Sequence, residues 1–254
     1  MVNLESIFDV DIKTTEDGSD IHFLKIDDIN DNFQSLLDTY IVSICDSEDD
    51  TPIDIIKAEL RTFFNSKDSN TTMGAVAEFL VHVYLKAIGF NQECLYRNLE
   101  ENSIKKGFDG YYSYSNEEWV MESKSGSIDT KGINHKGKIK EAYSDLKNKL
   151  EGKGTNNPWR NALNHAKVVG ASTDILKNIK TLSQNYVRKT YPDISTLNII
   201  PASTIFHDKG GDVKNFSVKH GDIASLIETV DYGQINVICI NKKSITAFVK
   251  FLTH

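Results

Sequence analysis

GFDGYYSYSNEEWVMESK, residues 107–124, decides the reading of this chain. Two stretches within it, Gly107–Tyr114 and Glu118–Lys124, read as strands, and Ser115-Asn116-Glu117 between them suits a tight turn. Side chains along a strand point alternately to opposite faces. Val120, Glu122 and Lys124 therefore share one face, and Trp119, Met121 and Ser123 share the other. A Glu and a Lys two apart on one face stand side by side. Asp109, on the preceding antiparallel strand, can bring a second carboxylate to them. Two carboxylates suit Mg²⁺, which takes one or two acidic side chains together with water and substrate phosphate. Such an ion polarises a phosphoryl oxygen and lowers the pKa of bound water, while a neighbouring ammonium neutralises developing charge.

Helices are expected on both sides of this hairpin. Before it, Thr71 or Thr72 can cap a helix that starts near Met73 and ends at Gly89, with Val76, Phe79, Leu80, Val83, Tyr84 and Ala87 as its apolar set. That helix carries Glu78 among small and apolar neighbours, and a Glu in such surroundings calls for a partner. A short strand is expected at 93–97 and a polar loop at 98–106. After the hairpin, residues 125–137 read as a loop. Residues 138–150 form an amphipathic helix with Ile139, Ala142, Tyr143, Leu146 and Leu150 on one stripe. Further helices are expected over about 159–169, 172–189 and 221–230, and strands at Leu197–Ile200, Ile235–Ile240 and Ile245–Leu252. Ahead of all this lie β-like patches at 4–12 and 21–26, a helix over 29–45, an acidic break from Asp46 to Thr51, and a helix from Pro52 to about Phe64. The division expected is an acidic, mostly helical region, 1–70, and a larger domain, 71–254.

The 254 residues carry a formal net charge of -7, and 39% are hydrophobic and 26% charged, a profile that fits a soluble protein. The total hides an asymmetry. Residues 1–70 hold 17 Asp/Glu against 5 Lys/Arg, whereas residues 124–167 hold 10 Lys/Arg against 4 Asp/Glu. The basic stretch offers Lys136, Lys138, Lys140, Lys147, Lys149 and Lys153 to a polyanion despite the acidic whole. No apolar run is long enough to cross a membrane and no secretory signal opens the chain, so a cytoplasmic location is expected, with Cys45, Cys94 and Cys239 reduced. Other chemistries lack their signatures. There is no His-Glu-X-X-His run, no zinc-spaced Cys/His set and no Gly-X-Ser-X-Gly elbow, and Glu151-Gly-Lys-Gly-Thr lacks phosphate-loop spacing. His135 reads as a loop histidine. Tyr111, Tyr112 and Tyr114 fit either base stacking or sheet packing.

A helix bearing Glu78, a strand bearing Asp109, a strand bearing Glu122-X-Lys124 and a following helix resemble the PD-(D/E)XK nuclease superfamily. The likeness spans about residues 71–150, and Phe108 stands where a Pro often precedes the Asp. The longer layout has an acidic N-terminal region, Gly74-X-X-X-Glu78, Gly107-X-Asp109-Gly110 and Glu122-X-Lys124. It is similar to the nuclease subunit of Hachiman-type antiphage systems, although Met121-Glu-Ser-Lys-Ser125 replaces the Gly-Glu-X-Lys-Phe frequent there. The resemblance implies an α/β fold in which a restriction-endonuclease-like mixed sheet is flanked by helices. It implies a DNA-cleaving enzyme that uses Mg²⁺, or Mn²⁺ in its place, and works beside a superfamily 2 helicase. Glu78, Asp109 and Glu122 would serve as metal ligands, and Lys124 would assist the attacking water. The alternative is a non-catalytic subunit that uses this fold to bind DNA or the helicase.

Overall fold

Tyr114 and Glu117 face each other across a two-residue turn, tighter than the trio expected. Ser115 (φ 49°) and Asn116 (φ 64°) both lie in the left-handed region. That is the geometry of the turn that matches the natural twist of a hairpin, and Asn tolerates it. The computed structural model describes residues 7–27, 29–46, 51–97, 107–154, 156–207 and 220–253. The loop expected at 98–106 and most of the acidic break after Asp46 lie outside the described residues, as does the start of the first β-like patch.

In chain order the elements are β1 (Asp9–Thr14), β2 (Asp20–Ile26), α1 (Asp31–Cys45), α2 (Ile53–Ser66), α3 (Ser69–Ala87), β3 (Asn91–Gln92), β4 (Gly110–Tyr114), β5 (Glu117–Ser127), α4 (His135–Leu150), α5 (Pro158–Val168), α6 (Thr173–Val187), β6 (Asn198–Phe206), α7 (His220–Ile227), β7 (Asn236–Lys242) and α8 (Ile245–Phe251). The strands form one seven-stranded sheet in the order β1-β2-β7-β6-β5-β4-β3. β2, β7, β6 and β5 run parallel to one another, and antiparallel pairs close both edges. The mixed, helix-flanked sheet expected is therefore present. Residues 9–26 supply two strands of that same sheet, so the expected division at residue 70 coincides with no break in it.

Two apolar layers cover the sheet. On one face α1, α2, α3 and α8 pack on Leu24, Tyr112, Trp119, Met121, Ile200 and Ile240. On the other, α4 to α7 pack on Phe23, Tyr111, Val120, Ile199, Val237 and Cys239. Strand alternation explains the split, since Trp119 and Met121 belong to the first layer and Val120 to the second. Cys45, Cys94 and Cys239 are buried. The tyrosines pack the sheet. Tyr111 and Tyr112 are buried, and Tyr114 stacks on Phe90 with ring centroids 4.3 Å apart.

Several expected boundaries shift. α3 starts at Ser69 because Asp68, rather than Thr71 or Thr72, caps it, accepting from the N–H groups of Asn70 and Thr71. The strand before β4 is Asn91–Gln92 rather than 93–97. Residues 245–251 form α8, not a strand. Ser244 caps it, and Phe248, Phe251 and Leu252, at helical spacing, reach the layer under α3. β6 runs on to Phe206, past Pro201. The β6–β7 ladder begins at Ala202 after an isolated Ile199–Ile235 bridge, so Pro201 lies in a gap where no ladder bond to β7 is required of it.

Candidate active site

β4 begins at Gly110, opposite Met121 of β5. Beyond that pair the Ser123 N–H has no β4 residue to meet, and the Asp109 carboxylate takes its place, with Oδ2 accepting the hydrogen bond at 2.8 Å. This bond sets Asp109 beside Glu122. The glycines around it are needed for close approach. A Cβ on Gly110 would lie 2.5 Å from the Tyr112 ring, and one on Gly107 would lie 2.8 Å from Asn161 Oδ1 of α5.

Glu122 and Lys124 project from the α4 face of β5, as alternation requires. Glu122 is 2% exposed, and its Oε1 accepts from Lys124 Nζ at 3.0 Å. Helix α4 runs back across them and adds two charges. Lys149 Nζ donates to Glu122 Oε2 at 2.5 Å, and Asp145 Oδ2 lies 2.6 Å from Lys124 Nζ. Burial first, then repulsion from Asp109, push the Glu122 carboxyl up to about 7, against the pull of Lys149 and Lys124. Burial works to lower the Lys124 ammonium, but the charge of Glu122 and the bonds to Asp145 and Glu122 outweigh it and hold Lys124 above its usual value. Lys124 is thus a fixed cation across the neutral range.

Glu78 comes from another helix. It rides on α3, across the sheet from α4, and its Oε1 is 3.5 Å from His82 Nε2. His82 Nδ1 in turn meets the Tyr112 hydroxyl. The charges of Glu78 and Asp109 both help to raise the Tyr112 hydroxyl, after burial. Among the described residues no group of three His, Cys, Asp or Glu side chains is gathered so as to hold a metal ion, and the expected trio of Glu78, Asp109 and Glu122 is no exception. What is gathered is a pair, Asp109 and Glu122. Two carboxylates close enough to repel, one of them buried, fit a site for a hard cation that keeps its remaining ligands as water or phosphate.

The six lysines do not form one open face. Lys149 is in the site. Lys138 pairs with Glu141 at 2.8 Å, Lys153 with Glu151 at 2.5 Å and Lys147 with Asp231 at 3.8 Å. Lys136 and Lys140 are exposed on α4. His135 is not a loop residue. It is the first residue of α4, buried, with Nδ1 2.8 Å from Ser203 Oγ, and burial lowers it to about 4. The sequence reading does not single out Asp145, nor does it place Lys149 in the site. Both flank the buried stripe of α4 at a spacing of four, which is the only sign of them in the sequence.

Residues 2–252 match the family model described as HamA, a span that includes Glu78, Asp109, Glu122 and Lys124. The chain belongs to the HamA family. HamA is a protein of Hachiman-type defence systems, and the family is linked to systems with a helicase partner. The match spans nearly the whole chain, so the HamA unit includes the acidic N-terminal strands and helices. Comparison with curated proteins gives no match. No helix among the described residues is long and apolar enough to cross a membrane.

Proposed function

We propose that this HamA-family chain is a metal-dependent deoxyribonuclease that acts in Hachiman-type defence beside a superfamily 2 helicase. In this reading, α3, β3, β4, β5, α4 and β6 make a restriction-endonuclease-like core. The observation that carries it is the Asp109–Ser123 hydrogen bond, which brings Asp109 to Glu122 with Lys124 next along the same face. Asp109 and Glu122 would hold Mg²⁺, or Mn²⁺ in its place. When bound, the ion supplies polarisation of a phosphoryl oxygen and acidification of water. Lys124 is held as a cation by Glu122 and Asp145. It orients the phosphate and offsets the charge that grows on it. Glu78 would help to order the site from α3, where it meets His82.

The test is plasmid nicking by Asp109→Ala with thermal melting as the fold control. Nicking is expected to vanish while a single cooperative melt shows that the variant is folded. Normal nicking by the folded variant would refute the assignment.

DNA contact is expected from the outer side of α4. Removing Lys136 and Lys140 together should flatten the log–log dependence of duplex affinity on salt by roughly 0.9 for each phosphate that these lysines neutralise. A salt titration by fluorescence anisotropy reads it, and an unchanged slope would turn that side of α4 to solvent or a protein partner.

A second reading is a non-catalytic subunit that uses the same fold to bind DNA or the helicase. It is favoured by the absence of a three-carboxylate cluster among the described residues. Cleavage by the purified chain separates the two.

A further inference from the structure

β5 and α4 meet through alternating charges. Lys149 lies against Glu122 at 2.5 Å, and Asp145 lies against Lys124 at 2.6 Å. Side-chain exposure rises outward from β5, at 2% for Glu122, 20% for Lys124, 27% for Lys149 and 46% for Asp145. The two α4 groups therefore stand on the solvent side of the two β5 groups. A cation approaching Glu122 meets an ammonium already seated there. A phosphate approaching Lys124 meets a carboxylate already seated there.

Asp145 and Lys149 have a second option. They are four residues apart on one helix, with the acid nearer the N-terminus, which is the favourable orientation for an ion pair along a helix. Each can reach across to β5, or the two can pair with each other. The four charges stay balanced either way, so leaving β5 strands neither side chain.

We propose that Asp145 and Lys149 occupy the binding positions of substrate and metal, and leave them by exchange. A phosphodiester takes the place of Asp145 on Lys124, a divalent cation takes the place of Lys149 on Glu122, and the displaced side chains pair along α4. The exchange rests on the reading of Glu122 and Lys124 as the catalytic centre, but it concerns binding alone. Asp145 and Lys149 are positioning residues in it, because they act by holding Lys124 and Glu122.

The experiment uses the full chain at pH 8. Duplex DNA affinity is measured in EDTA by anisotropy for wild type, Asp145→Asn and Asp145→Ser. Mn²⁺ affinity is measured without DNA by electron paramagnetic resonance for wild type and Lys149→Met. Both Asp145 variants should bind DNA about 5- to 10-fold more tightly, and Lys149→Met should bind Mn²⁺ several-fold more tightly. Unchanged or weaker DNA binding by both Asp145 variants, or unchanged or weaker Mn²⁺ binding by Lys149→Met, would overturn the exchange. Wild-type cleavage in saturating Mg²⁺ is scored separately. Both affinity gains without cleavage would leave the exchange standing and remove the nuclease reading. Cleavage without the gains would do the reverse.

Discussion

Glu122→Gln is expected to lower the cleavage rate by about 10³-fold or more, equivalent to about 4 kcal/mol of barrier, and to remove a pH dependence of stability. Gln keeps the shape and hydrogen-bonding capacity of Glu but offers a cation no negative oxygen. The stability effect follows from the raised carboxyl. In the folded chain burial and Asp109 hold Glu122 near 7, whereas an unfolded chain ionises it near the ordinary value of 4.5. Between those values the folded state carries a proton that the unfolded state lacks. The contribution of Glu122 is thus fully present below the unfolded value and is lost as pH rises through about 7. Thermal melts of wild type and Glu122→Gln from pH 4.5 to 8 should diverge in slope, with the variant flatter. Cation affinity should move the other way in wild type and rise with pH up to about 7, since a ligand carboxyl must lose its proton. Parallel melting profiles would show that the Glu122 carboxyl ionises freely in the fold.

Lys124→Met should separate rate from affinity. In the wild type a phosphate gains Lys124 only by displacing Asp145 from it, so the two nearly offset and duplex affinity should change by less than about threefold. An interaction that strengthens only as charge grows on the phosphate governs turnover instead, and a fall of about 10²–10³-fold in single-turnover rate is expected. Met retains most of the aliphatic stem, so packing against α4 is largely kept. Single-turnover kinetics and anisotropy on one preparation give both numbers. Equal falls in the two would assign Lys124 to plain phosphate binding.

Much of this architecture can be read from local pattern, and the site can be read in part. The β4–β5 hairpin and the shared face of Val120, Glu122 and Lys124 follow from a period of two, which holds at every residue of a strand. The buried stripe of α4 follows from a period near 3.6 in the same way. α8 escapes such a reading because Ile245–Leu252 is short and apolar, and a short apolar run fits a strand or a helix equally well until a neighbouring layer selects one. The length of β6 beyond Pro201 is hidden because the gap in the β6–β7 ladder is a tertiary fact. The role of Asp109 is legible as a residue type, but its bond to the Ser123 amide depends on where β4 begins. Asp145 and Lys149 look like ordinary surface charges at helical spacing. Only the packing of α4 along β5 turns them toward Lys124 and Glu122. Glu78 is the converse case. Its surroundings on α3 call for a partner, and the fold supplies His82 on the same helix, with Tyr112 beyond it.

Metal-titrated cleavage tests the central claim most directly. Supercoiled plasmid and single-stranded DNA are incubated with the chain, alone and with the proposed helicase partner, over a Mg²⁺ series that starts in EDTA, with Lys124→Ala beside the wild type. The account predicts cleavage that is absent in EDTA, grows with Mg²⁺ to saturation and falls by about 10²-fold or more in Lys124→Ala. Cleavage that persists in EDTA, cleavage that Lys124→Ala performs as well as wild type, or no cleavage in any arm would contradict it.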